Sequence, residues 1–229
     1  PLLELKLADD PENESYYLVV YDHHLIMDHV GLEKVIEEVI FYLSGKVENL
    51  PVPFLYRDFI GHTLHTQSIN DGESYFRSLL GAINEPTYPF NLSNSLGDGT
   101  KNEESTAILP KDLSTVLRSI CVSLRMSPAV LFHAVFGLVI ARCSNKQHAI
   151  FGSLFSGRLQ GSLGAADSLG LFINTLPVAL ELKGSVREYL DNVKIALGEL
   201  LSYEQTPLSH IHDWSGISNE MAFFSALLN

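Results

Sequence analysis

The chain has 229 residues, 46% of them hydrophobic, enough for one large domain or two small lobes around a substantial core. Fifteen Lys and Arg against 27 Asp and Glu give a net charge of −12 with no basic stripe, so a nucleic-acid backbone is repelled and is excluded as a partner. The longest apolar run, Ala129 to Ala141, is broken by His133 and falls short of the roughly 20 residues that a membrane span needs, so no membrane partner is expected.

In chain order, the partly alternating run from Leu2 to Leu7, an acidic turn from Asp9 to Glu14 and the β-branched, aromatic run from Tyr16 to Tyr21 predict a hairpin whose second strand is buried. It delivers His23 and His24, then Asp28 and His29, to the start of a helix in which Leu32, Val35, Ile36, Val39 and Leu43 recur at helical spacing. Strand ends that lead into helices are common sites for reactive groups. Pro51 and Pro53 precede Phe54 to Leu64, where Arg57 and Asp58 lie among aromatics, and a helix from about Glu73 to Ile83 buries Phe76, Leu79, Leu80 and Ile83. Residues 92–105 are polar, contain Gly and lack periodicity, which marks the best linker.

Beyond the linker, a short strand is expected near Thr106 to Leu109. It precedes a helix with Leu113, Val116, Leu117, Ile120 and Leu124 on one face. Ser127 and Pro128 restart a helix that is apolar nearly all round to about Arg142 and is expected in the core. Strand-like runs from His148 to Phe155 and Leu171 to Leu182 flank a Gly-rich connection holding Gly157 and Arg158. Ser185 and Glu188 form a capping box opening a helix that buries Val186, Tyr189, Leu190, Val193, Leu197 and Leu200. Cys121 and Cys143 sit in helical apolar patterns, as expected of reduced thiols in a cytoplasmic protein.

The histidine cluster admits two chemistries. As a metal site it falls short of the His-x-His-x-Asp-His run of metallo-β-lactamase-like hydrolases, because position 26 is Ile; His62, His65, His210 and His212 are the remaining candidates to complete a ligand set. As a general base or hydrogen-bonding pair, only one of His23 and His24 can face a given cleft if the segment is extended, which leaves the other structural. Residue chemistry alone leaves open whether both merely satisfy buried hydrogen bonds.

His23-His24-x-x-x-Asp28 resembles the His-His-x-x-x-Asp-Gly signature of nonribosomal peptide synthetase condensation domains, members of the chloramphenicol-acetyltransferase-like superfamily. Residues 56–59, 152–158 and 170–177 resemble three further family segments in family order, and Pro207 is what remains of a fifth. Two positions depart from the pattern: His29 stands at the family's Gly, and Ala179 where Arg is usual.

The resemblance implies an α/β fold of two lobes in a V, with mixed sheets and flanking helices. Residues 1–95 would hold the C-terminal part of the N-lobe and 96–229 the first part of the C-lobe, both lobes incomplete in this central portion of a longer domain. It implies amide formation between a donor acyl or peptidyl thioester and the α-amine of an acceptor aminoacyl thioester, both held on carrier proteins. His24 matches the catalytic position, His23 supports it, Asp28 pairs with an arginine for which Arg158 is the leading candidate, and Asn174 matches a substrate-positioning site.

The expected partners are the upstream and downstream carrier proteins with their phosphopantetheine arms and a neighbouring adenylation domain; no cofactor of its own and no metal are expected. The competing readings are a degenerate domain that only recruits a carrier protein or tailoring enzyme, against which intact His24 argues, and an epimerisation domain, which would lack the run 174–177. A heterocyclisation domain would place an Asp where Asp22 is one residue out of register, and a metal-dependent hydrolase would need the missing ligand.

Overall fold

The computed structural model describes residues 1–50, 52–81, 85–93, 100, 102–158, 164–218 and 221–229. Ile83 and much of the expected linker lie outside the described residues. The chain forms two compact units, and neither is continuous: one comprises residues 1–69 and 156–173, the other 70–155 and 174–229. This partition differs from a single cut near residue 95, because the connection carrying Arg158 returns to the first unit.

In the first unit, β1 (Leu3–Asp10) and β2 (Ser15–Asp22) pair antiparallel with Leu5 opposite Val20 and Leu7 opposite Leu18. The expected burial of β2 is not observed: Tyr16 is 69% exposed, and Tyr17, Leu18, Val19 and Tyr21 are exposed as well. The ribbon has two strands and, among the described residues, neither face is covered, so its apolar composition made a strand without placing it in a core. The helices are α1 (His29–Leu43) and α2 (Tyr56–Ile69). Phe59, Ala165 and Phe172 make a small apolar cluster joined by Tyr56.

The second unit holds α3 (Gly72–Gly81), α4 (Lys111–Ser123), α5 (Pro128–Cys143), β3 (His148–Phe155), β4 (Asn174–Glu181), α6 (Val186–Leu201), α7 (Leu208–Ser215) and β5 (Leu227–Leu228). Its sheet is mixed, in the order β4-β3-β5, with β3–β4 antiparallel and β3–β5 parallel. The core packs Phe76, Leu80, Phe151, Leu176, Val178, Val193 and Leu200 together.

Ser127 caps α5 by accepting from Val130 N–H, and Pro128 needs no partner for an amide it lacks. The capping box of Ser185 and Glu188 is present on α6. Gly137 stands inside α5 for a steric reason: a Cβ there would lie 2.7 Å from Leu180 Cδ1 and 3.0 Å from the Tyr189 hydroxyl, so glycine lets α5 close in on β4 and α6.

Four further expectations fail. Thr106 to Leu109 forms no strand and Ile108 is 91% exposed, because strand propensity without a paired neighbour leaves the backbone to water. α5 buries only one face, through Val130, Ala134, Gly137, Ile140 and Ala141, while Phe132, Val135, Leu138 and Val139 are exposed on the other. The expected α4 is present with Leu113, Val116 and Ile120 at helical spacing; these three are exposed, and its buried residue is Cys121. Val186, at the first turn of α6, is exposed, and β4 starts at Asn174 rather than Leu171. Both cysteines are free, Cys121 buried and Cys143 partly so. Among the described residues no single helix is long and apolar enough to cross a membrane.

Candidate active site

His23 to Ile26 form a turn closed by Ile26 N–H donating to the His23 carbonyl at 2.9 Å. The histidines therefore do not alternate as on an extended strand, and both are exposed. They differ in their hydrogen bonds. The Leu25 amide donates to His23 Nδ1 at 3.1 Å, so neutral His23 carries its proton on Nε2. His24 Nδ1 faces the Met27 carbonyl at 3.3 Å, which can only accept, so neutral His24 carries its proton on Nδ1 and leaves the Nε2 lone pair open.

Asp28 is 1% exposed and serves two structures at once. As the N-cap of α1 it accepts from Gly31 N–H at 2.9 Å, and it accepts from Arg158 through Nη2 at 2.6 Å and Nε at 3.2 Å. Phe172 N–H reaches Oδ2 at 3.4 Å, and the Asp28 amide donates to the Gly170 carbonyl at 3.2 Å. Burial alone would raise the Asp28 pKa, but the guanidinium and the amides of Gly31 and Phe172 outweigh it, and the carboxyl is held below the ordinary value of 3.8.

Arg158 spends its other Nη on the carbonyls of Ala165 at 2.6 Å and Ser168 at 3.0 Å, and its guanidinium lies 4.0 Å from the Phe172 ring centroid. The structure thus brings Asp28 and Arg158 together in one buried, hydrogen-bonded pair beside the histidine turn.

His29 opens α1 without a positive φ. The position therefore does not demand glycine. Ala179 sits on β4 opposite Ile150, partly buried against the core.

Asn174 belongs to the second unit, where it starts β4. Its Nδ2 donates to the carbonyls of Glu204 and Thr206, both at 2.8 Å, and its Oδ1 accepts from Thr175 N–H at 3.0 Å. Both amide hydrogens are thus committed to backbone, which ties β4 to the segment before α7. Asp58 is exposed beside Arg57, and Tyr56 donates its hydroxyl to the Leu171 carbonyl. Gly170 and Phe172 lie in the family-like segment 170–177, but resemblance does not show that they bond to Asp28; for Gly31 the signal is an Asp immediately before an amphipathic helix, which marks an N-cap.

His62 and His65 lie on α2, and His210 and His212 on α7. Among the described residues no three His, Cys, Asp or Glu side chains gather to hold a metal ion, so the hydrolase reading has no ligand set to stand on.

Solved structures share the fold at low sequence identity. The chain superposes on a four-domain nonribosomal peptide synthetase bound to AMP and glycine with a TM-score of 0.76 at 16% identity, covering 96% of this chain and 17% of that one. It superposes on the first condensation domain of the calcium-dependent antibiotic synthetase with a TM-score of 0.71 at 13% identity, covering 97% and 50%. The condensation domain family model matches residues 1–228, and the chain belongs to that family. Malpibaldin synthetase of Mortierella alpina is 34% identical over 230 aligned positions, which span all of this chain and 4% of that synthetase. The chain therefore spans a small fraction of the synthetase and half of the isolated condensation domain.

Proposed function

We propose that this chain carries the reactive loop of a condensation reaction in which the α-amine of an acceptor aminoacyl thioester attacks the carbonyl of a donor acyl or peptidyl thioester. A C–N bond forms, the C–S bond breaks, the donor's carrier thiol leaves and the amine gives up a proton. Both substrates arrive on phosphopantetheine arms of upstream and downstream carrier proteins beside an adenylation domain, in the cytoplasm, and the domain itself needs no cofactor.

The observation that carries the reading is the opposed tautomers of the paired histidines: His24 offers Nε2 as an acceptor, and His23 does not. An amine with a pKa of about 8 is already partly neutral, so an acceptor that orients its N–H and takes the proton as attack proceeds is sufficient. An acceptor nitrogen cannot donate to the tetrahedral oxyanion, which favours the base role of His24 over oxyanion stabilisation. Asp28 and Arg158 hold the turn. Asn174 acts by fastening β4 to residues 204–206, and any direct contact with substrate would have to use the remaining lone pair of Oδ1. The ordinary backbone at His29 removes one ground for a degenerate, purely recruiting domain.

In the complete domain, His24→Ala is expected to lower peptide transfer between loaded carriers by about 10²–10⁴-fold with an unchanged melting temperature. Near-normal dipeptide formation by the folded variant would remove His24 from the chemistry.

A further inference from the structure

The peptide unit between Met27 and Asp28 has both polar ends engaged. Its N–H donates to the Gly170 carbonyl at 3.2 Å, and its C=O accepts from His24 Nδ1 at 3.3 Å. A peptide unit is planar, with N–H and C=O pointing in opposite directions, so the Gly170 oxygen aims the very carbonyl that orients the imidazole.

Gly170 is held in turn by Tyr56. The ring lies so close to the Gly170 backbone that a Cβ added there would stand 2.1 Å from Tyr56 Cδ2, and the Tyr56 hydroxyl donates to the carbonyl of the next residue, Leu171. The ring has little freedom of its own: it stacks on Phe59 at 5.6 Å between centroids and meets Phe172 edge-on at 5.2 Å. Burial raises the Tyr56 pKa, with the Asp28 charge adding to the effect, so the hydroxyl remains a donor.

We infer that Tyr56 is a positioning residue for His24: through Gly170 and the Met27–Asp28 peptide it fixes the imidazole with the proton on Nδ1 and the Nε2 lone pair open. The inference deepens the proposed function and rests on His24 being the group that meets the amine. It also explains why residue 170 is glycine, since any side chain would displace the ring that holds the segment from Gly170 to Leu171.

The test is nitrogen NMR of the histidine side chains in this chain, which reads the tautomer ratio without turnover. Tyr56→Phe keeps the ring and removes the hydroxyl. It is expected to lower the ratio of Nδ1–H to Nε2–H forms of His24 about two- to tenfold, the weight of one net hydrogen bond. Gly170→Ala, which drives a methyl into the ring, is expected to shift the same ratio in the same direction. Tyr88→Phe is the control: its hydroxyl donates to the Ala222 carbonyl in the second unit, and its loss leaves His24 unchanged.

An unchanged His24 ratio in folded Tyr56→Phe overturns the inference. If both variants fail to fold, the unmodified chain decides. Its Asp28 amide must exchange with deuterium more slowly than the Leu25 amide, whose bond to His23 is exposed, and equal rates overturn the inference. In the complete domain Tyr56→Phe is expected to lower kcat with KM for loaded carriers little changed. A tautomer shift alongside a parent domain that never makes amide leaves the positioning role standing and sinks the proposed function instead.

Discussion

The two units are stabilised by different physics. The second is held by a contiguous apolar core in which Phe76, Leu80, Phe151 and Val178 are fully enclosed. Among the described residues the first has Phe59, Ala165, Phe172 and the Tyr56 ring as its apolar cluster, and beside it a buried carboxylate–guanidinium pair with every strong bond directed. Apolar contacts tolerate rearrangement, whereas a bidentate pair has one good geometry. The directed interactions lie where His24 must be aimed, and the non-directional ones where bulk is needed.

The comparison is tested most severely by Asp28→Ala. It strands Arg158 without its counter-ion, and a loss of about 3–5 kcal/mol is expected in urea unfolding of the first unit. A variant that unfolds like the parent would show that the pair has no structural role. Leu80→Ala is the counterpart in the second unit, with an expected cost of about 2–5 kcal/mol, read by the fluorescence of Trp214, the only tryptophan of the chain. His24 should keep its tautomer in that variant; if it does not, the contrast between the units fails.

Acid should separate the units further. Burial pushes the His133 pKa below 6.5, against the opposing bond to the Ala129 carbonyl, while Nε2 accepts from Ser153 at 2.8 Å. Its folded-state pKa is depressed, so its neutral form's contribution is complete above pH 6.5 and is lost as pH falls through the folded value. Asp28 is also depressed, but from 3.8, so its contribution persists until pH falls below that value. Trp214 fluorescence in urea should therefore report weakening from below pH 6.5, and His133→Gln should remove that limb without moving the one below 3.8. The smallest expected effect is Ser185→Ala, about 1 kcal/mol from the lost cap of α6, seen as a modest fall in melting temperature.

Much of this architecture is legible in the sequence because local signals dictate it. The acidic turn gives the hairpin, Ser127-Pro128 and the Ser185–Glu188 box place two helix starts, and an Asp ahead of an amphipathic helix needs a partner. What is not legible is what covers an apolar face. The runs at Tyr16 to Tyr21 and along α5 say that side chains are apolar, and only tertiary structure decides which of them meet a neighbour. The same holds for Thr106 to Leu109, where a strand has nothing to pair with. At the site, the turn that ends β2 sets the histidine tautomers, and a turn's hydrogen bonds are not written in residue spacing. Asn174 is visible as a polar residue at a strand start, but the carbonyls of Glu204 and Thr206 that occupy it lie 30 and 32 residues away.

Asp28 and Arg158 are 130 residues apart, and β3 is complete before Arg158 is reached. At about 5–20 residues per second on the ribosome, the histidine turn emerges on the order of ten seconds before the arginine that fastens it. Over that interval α3, α4, α5 and β3 of the second unit are being synthesised while the carboxylate of Asp28 remains in water. The site is thus completed only when residues 156–173 of the first unit have been made, and a chain released early would carry both histidines without the clasp that aims them.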